Sequence, residues 1–211
     1  MGFETVATEV PIQVSYEDFT KLYYMDLLIN NGVMYELKTV KAISGEHQKQ
    51  ALNYLLLTGM QHGKLVNMRP QSVQYNLVST RLTPEKRYKF TIDDREWKDR
   101  DNDSIWLKQL VENLLSEWEA FLDTNIFYDA IKHFRGGDEH VVKRIEIVND
   151  SRILGTQRVH LLNPDIAFKI SAVTKAGSFY EQHLQRFISH TSLRAIQLRA
   201  SHICVGDHNI W

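Results

Sequence analysis

The chain has 211 residues, 43% of them hydrophobic, which suits one large or two small domains with an ample core. Its 25 basic and 26 acidic side chains cancel, both before and after residue 82, so a chain-wide field for nucleic acid is excluded and any phosphate-binding surface has to be a local patch. The single cysteine, Cys204, excludes an intrachain disulfide framework, a four-cysteine zinc site and a cysteine-ligated iron–sulfur cluster. The opening MGFETVATEV has no basic flank followed by an apolar run, and Val6 stands where a myristoylation signal needs Ser or Thr. No apolar run is long enough to span a bilayer, so the expectation is a soluble, cytoplasmic protein without a membrane partner.

Val10–Tyr16 alternates and reads as a strand, with Pro11 favouring its start or a sheet edge. Lys21–Ile29 and Val33–Val40 read as a β-hairpin, and its loop decides which side chains meet. With a two-residue loop, Asn31-Gly32, Leu27 would oppose Glu36 and Asp26 would point away. A three-residue loop, Asn30-Asn31-Gly32, with Gly32 left-handed, pairs Asp26 with Glu36. That register sets Tyr24, Asp26 and Leu28 beside Met34, Glu36 and Lys38. It gathers Met25, Leu27, Ile29, Val33, Tyr35 and Leu37 on the other face, which is expected to be the core, so burial favours it.

Ser44 can cap a helix from about Glu46 to Thr58, with Gly59 and Gly63 marking the exit. Ala51, Leu52, Leu55 and Leu56 form one stripe, and Gln50, Tyr54 and Leu57 an adjoining face. Lys64–Met68 reads as a buried strand after a crossover helix, and Ser72–Thr80 as a further strand. The order predicts an α/β mixed sheet with a helix on at least one face. Thr83–Asp103 is the most polar stretch and marks the expected boundary, giving a core at 1–82 and an extension at 83–211.

Ser104–Asp123 has the spacing of an amphipathic helix, and a shorter helix around Phe127–Phe134 ends at Gly136-Gly137. Val141–Val148 and Arg158–Leu162 read as strands and Ser178–Ser189 as a helix, whereas the tail after Arg199 has no clear period. Lys86, Arg87 and Lys89 read as solvated linker charge. Trp97, Trp106 and Trp118 have the ring area to stack bases, but helical spacing assigns Trp106 and Trp118 to core packing. His183 and His190 sit seven apart, and no histidine pair has an i, i+4 zinc spacing, so solvated or capping roles are expected.

The chemistry concentrates in Asp26, Glu36 and Lys38. Two acids and a lysine on adjacent strands can hold a divalent metal and a nucleophilic water against a phosphodiester. The same three can be an ordinary cross-strand ion pair on a solvated sheet face, and hairpin spacing alone favours the ion pair. Taken singly, Tyr54 fits half-buried packing, and Gln50 fits a solvated helix face as well as a site.

Three pieces of the segment Glu9–Pro70 bear on that choice: EVPIQV at Glu9–Val14, the Asp26 strand with YELK at Tyr35–Lys38, and HQKQALNYLLLTGMQHGKLVNMRP at His47–Pro70. Together they resemble the GxxExxY family, a branch of the PD-(D/E)XK nuclease superfamily. The most specific part is the order: Gln50 and Tyr54 four apart, then a glycine, then an L-V-N strand ending at Asn67, all after the ExK strand. That order tips fold and site toward the nuclease reading. The resemblance implies a restriction-endonuclease-like mixed sheet flanked by helices, with an α+β C-terminal extension. It implies Mg²⁺ or Mn²⁺ held by Asp26, Glu36 and the Leu37 carbonyl, Lys38 orienting the nucleophile, and Gln50 and Tyr54 positioning a DNA phosphate or the lysine. The implied activity is metal-dependent hydrolysis of DNA, rather than RNA, phosphodiester bonds, in DNA repair or defence. Family members carry a helix with the naming motif before the first strand. Gly2 and Glu4 lack the G-x-x-E spacing, so the core is expected to be N-terminally shortened, with one side of its sheet uncovered. The shortened start leaves two alternatives: a catalytically inactive nuclease-fold module binding nucleic acid or a protein partner, and a truncated product without independent function.

Overall fold

A computed structural model describes residues 5–93, 97–171 and 178–202; Gly2, Glu4 and Cys204 lie outside them. The chain forms two compact units. Of the described residues, the first takes in those up to Tyr88 together with Phe121–Asp123, and the second takes in Lys89–Ala120 and those from Thr124 to His202. Among the described residues no helix is long and apolar enough to cross a membrane.

The first unit runs β1 (Val6–Tyr16), β2 (Phe19–Ile29), β3 (Val33–Lys38), α1 (Gly45–Thr58), β4 (His62–Asn67), β5 (Gln74–Ser79) and the short α2 (Pro84–Arg87). Its five-stranded sheet keeps chain order, and Pro11 lies on the edge strand β1 as expected. Every neighbouring pair is antiparallel except β3 and β4. A parallel pair needs a long crossover, and α1 supplies it. Ser44 caps α1: its amide donates to His47 Nδ1 at 3.0 Å. Gly59 ends the helix in the left-handed region, φ 70°.

The β2–β3 pairing is Leu27↔Tyr35, Leu28↔Met34 and Ile29↔Val33, which is the three-residue-loop register. The left-handed residues are Asn30 and Asn31, φ 50° and 53°, and not Gly32. Two successive positive φ values suit a tight hairpin turn with right-handed twist, and asparagine tolerates that region well. The expected core face is also corrected. Met34 is 0% exposed and Val33 is 38% exposed, while Tyr35 and Leu37 are half-buried. The crossover helix lies over the Met34 side: Met34 and Leu65 share one cluster with Ala51, Tyr54 and Leu55 of α1, and Leu28 packs against it. Of the residues expected in the core, Met25 and Ile29 are buried, and Met25 joins the same cluster. Glu36, two residues from Met34 on the same face, is therefore buried with the core.

Arg87 also departs from expectation. It is buried and donates from Nη1 to the Leu56 carbonyl of α1, so it satisfies a helix-end acceptor and is not solvated linker charge.

The second unit contains β6 (Thr91–Asp93), α3 (Asn102–Trp118), α4 (Thr124–Phe134), α5 (Asp138–Val141), β7 (Val142–Asn149), β8 (Arg152–Asn163), β9 (Ile166–Ser171), α6 (Ser178–Ser189) and β10 (Ala195–His202). Its sheet order is β6-β10-β9-β8-β7, with β9 and β10 parallel across α6. Leu107, Leu114, Trp118, Ile126, Phe127 and Ile131 are buried, and the Trp118 and Phe127 rings meet edge-on at 5.5 Å. The helix expected through Asp123 stops at Trp118 because Glu119 and Phe121 take positive φ, 66° and 74°. The chain then returns to the first unit, where the Asp123 amide donates to Asn53 Oδ1 at 2.9 Å. His190 Nδ1 lies 3.0 Å from the carbonyl oxygen of Val148 on β7, a tie to a strand and not the helix cap or solvated role expected.

Candidate active site

The hairpin brings Asp26, Glu36 and Lys38 together. Asp26 Oδ2 accepts from the Leu37 amide at 2.7 Å, which fixes this carboxylate against the end of β3. Asp26 Oδ1 has no partner among the described residues. Lys38 Nζ donates to Glu36 Oε1 at 2.7 Å. The solvated ion pair that hairpin spacing alone favours does not fit this geometry, because Glu36 is only 2% exposed.

Glu36 Oε2 is buried and has no hydrogen-bond partner among the described residues. Buried polar atoms are nearly always paired, so an orphaned carboxylate oxygen calls for a ligand. Burial raises the Glu36 carboxyl above its usual range; the Lys38 ammonium opposes that shift, and the Asp26 charge adds to it. Two carboxylates feel each other's charge, one of them paired with the Lys38 ammonium, and their donor atoms are entirely oxygen. A hard divalent cation fits such a set through the free oxygens of Asp26 and Glu36. No group of three or more His, Cys, Asp or Glu side chains gathers among the described residues. Magnesium-type sites commonly use one or two carboxylates and complete the shell with water and substrate phosphate, so two acids suffice.

Gln50 and Tyr54 sit one turn apart on α1, and Gln50 Nε2 donates to Tyr54 Oη at 2.8 Å. The Tyr54 ring is buried edge-on to Tyr23 at 5.9 Å. The two bond to each other, and neither bonds to Lys38, Asp26 or Glu36 among the described residues.

Asn67 gains a structural role that sequence reasoning did not assign. It is 0% exposed and pairs in register with Lys38 across the parallel ladder. Its Oδ1 accepts from the Val40 amide at 3.2 Å and the Arg69 amide at 3.3 Å, and its Nδ2 donates to the Val40 carbonyl at 2.9 Å. The Met68 amide adds a bond to the Lys38 carbonyl at 2.8 Å. The available signal was a polar residue closing an otherwise apolar buried strand.

Residues 3–78 match the family model of the PD-(D/E)XK nuclease superfamily. The matched stretch holds β1 to β4, α1 and all but the last residue of β5, with Asp26, Glu36, Lys38, Gln50 and Tyr54 inside it. The architecture is a restriction-endonuclease-like mixed sheet with helices, as the resemblance implied. Members of that superfamily are nucleases and generally use divalent metals. No curated protein and no solved structure matches the chain.

Proposed function

We propose that the chain is a metal-dependent nuclease of the GxxExxY type that hydrolyses DNA phosphodiester bonds, acting in DNA repair or defence. The observation that carries this reading is the buried Glu36, with Lys38 on Oε1 and no partner on Oε2 among the described residues. Asp26, Glu36 and the Leu37 carbonyl would hold Mg²⁺ or Mn²⁺. The ion, when bound, polarises the phosphate and acidifies a coordinated water. Lys38 is a compact charge with three donors, of which Glu36 takes one. The other two orient the attacking water and offset the charge gathering on the non-bridging phosphate oxygens. The Gln50–Tyr54 pair holds α1 side chains toward the same sheet face and positions the phosphate or the lysine.

Labelled single- and double-stranded DNA incubated with Mg²⁺ or Mn²⁺ tests this directly. Cleavage should require the metal and fall by about 10²–10³ in Lys38→Ala, the range for losing one electrostatic stabiliser. No cleavage from a folded chain, combined with salt-dependent DNA binding, would leave the catalytically silent binding module as the correct account.

A further inference from the structure

We infer that Lys41 and Arg69 form the grip on the phosphodiester backbone that flanks the scissile phosphate, an inference that rests on the nuclease reading above. Balanced charge across the chain means that substrate must be drawn by a local patch. The half-buried Asp26 and buried Glu36 carboxylates repel a polyanion, so the patch has to lie beside them. The parallel pairing of β3 and β4 sets Lys38 next to Asn67, and the segments after them, TVKAIS and MRPQSV, leave from the same end of the sheet. In open α/β sheets, ligands bind outside the carboxyl ends of parallel strands.

Asn67 makes these two segments one surface. Its single side chain binds Val40, which precedes Lys41, and also the amide of Arg69. The backbones carrying the two cations are thus held side by side by a residue with no solvent exposure. Lys41 and Arg69 are themselves exposed and make no ion pair among the described residues. Neither segment contains a carboxylate. Glu46, in the first turn of α1, is already paired with Lys49 at 3.1 Å. Long flexible cations on a braced backbone suit phosphate contacts, which set position without reading sequence.

The test is the salt dependence of binding to labelled duplex DNA in Mn²⁺, with Lys38→Ala as the non-cleaving parent. Lys41→Gln and Arg69→Gln are added together, and Lys143→Gln with Arg152→Gln, exposed positions on β7 and β8, serve as a control of equal charge change. Two lost phosphate contacts should reduce the slope of log affinity against log salt by about 1.8. The control should keep the parent slope. In the cleaving chain the same two substitutions should raise KM and leave kcat close to its starting value. Equal slopes in all three proteins, with cleavage intact before the Lys38 change, would overturn the grip and spare the nuclease. A chain that neither binds nor cleaves DNA would overturn both.

Discussion

Glu36 carries opposing demands in one side chain: its burial disfavours charge, while the role proposed for it requires charge. The carboxyl is held above its ordinary 4.5, with burial the leading cause. For a raised carboxyl, both folded and unfolded chains are protonated below 4.5, and no penalty applies. As pH rises through the folded-state value, the buried charge forms and stability falls. Glu36→Gln should therefore melt higher than the parent at neutral pH without metal, and the difference should vanish toward pH 4.5. Mn²⁺ should raise the melting temperature of the parent and leave Glu36→Gln unmoved. A variant that melts below the parent at neutral pH would mean that the Lys38 pairing outweighs burial. Asn67 makes a simpler case. Asn67→Ala leaves the Val40 amide and carbonyl without their buried partner, at a cost on the order of 2–3 kcal/mol in urea unfolding. A loss under about 0.5 kcal/mol would mean that water replaces the bracket.

At the scale of elements, strand alternation and loop length were enough to read the Asp26–Glu36 register, because a slip by one residue would have placed an acid among Met25, Leu27 and Ile29. Alternation separates two faces but does not say which one a helix covers, and so the core was expected on the Val33–Tyr35–Leu37 side. The fact that decides it is the crossover over Met34 and Leu65, a long-range contact absent from any local pattern. The same limit explains β9 and β10. They lie inside their sheet, so IAFKIS does not alternate as a half-exposed strand would. The helix run to Asp123 failed for the converse reason: Leu122 is apolar at helical spacing yet buried beyond the helix end. The end of α1 was legible because Gly59 is the residue type that a left-handed cap requires. A Cβ there would meet nothing within 4 Å, so the cost of Gly59→Ala is purely conformational. It should be about 1 kcal/mol, read from chemical denaturation. No change would mean that the last turn of α1 rearranges.

Across the whole molecule, the two units carry opposite responses to acid. In the first, protonating Glu36 relieves a buried charge, so mild acid favours folding. In the second, His160 stacks on Tyr128 with ring centroids 4.2 Å apart and lies 5.8 Å from Phe168. Burial pushes its pKa below the ordinary 6.5, and the Lys132 and Arg158 charges push the same way, against Asp138. A lowered histidine binds its proton more readily when unfolded. Its contribution to stability is therefore complete above 6.5 and is lost as pH falls through the folded-state value. Trp97, Trp106 and Trp118 all belong to the second unit, so with Trp211→Phe as background, tryptophan fluorescence follows that unit alone. Its melting temperature should drop between about pH 7.5 and about pH 5.5, and His160→Phe, which keeps the stacked ring and removes the titration, should flatten the drop. If His160→Phe melts with the parent's pH dependence, the acid sensitivity of the second unit comes from other groups. If the flattening appears while Glu36→Gln shows its gain at neutral pH, the stability optimum of the chain is a compromise. One unit is held back at neutral pH by the carboxylate proposed for its chemistry, and the other is weakened below it by a histidine in its aromatic stack.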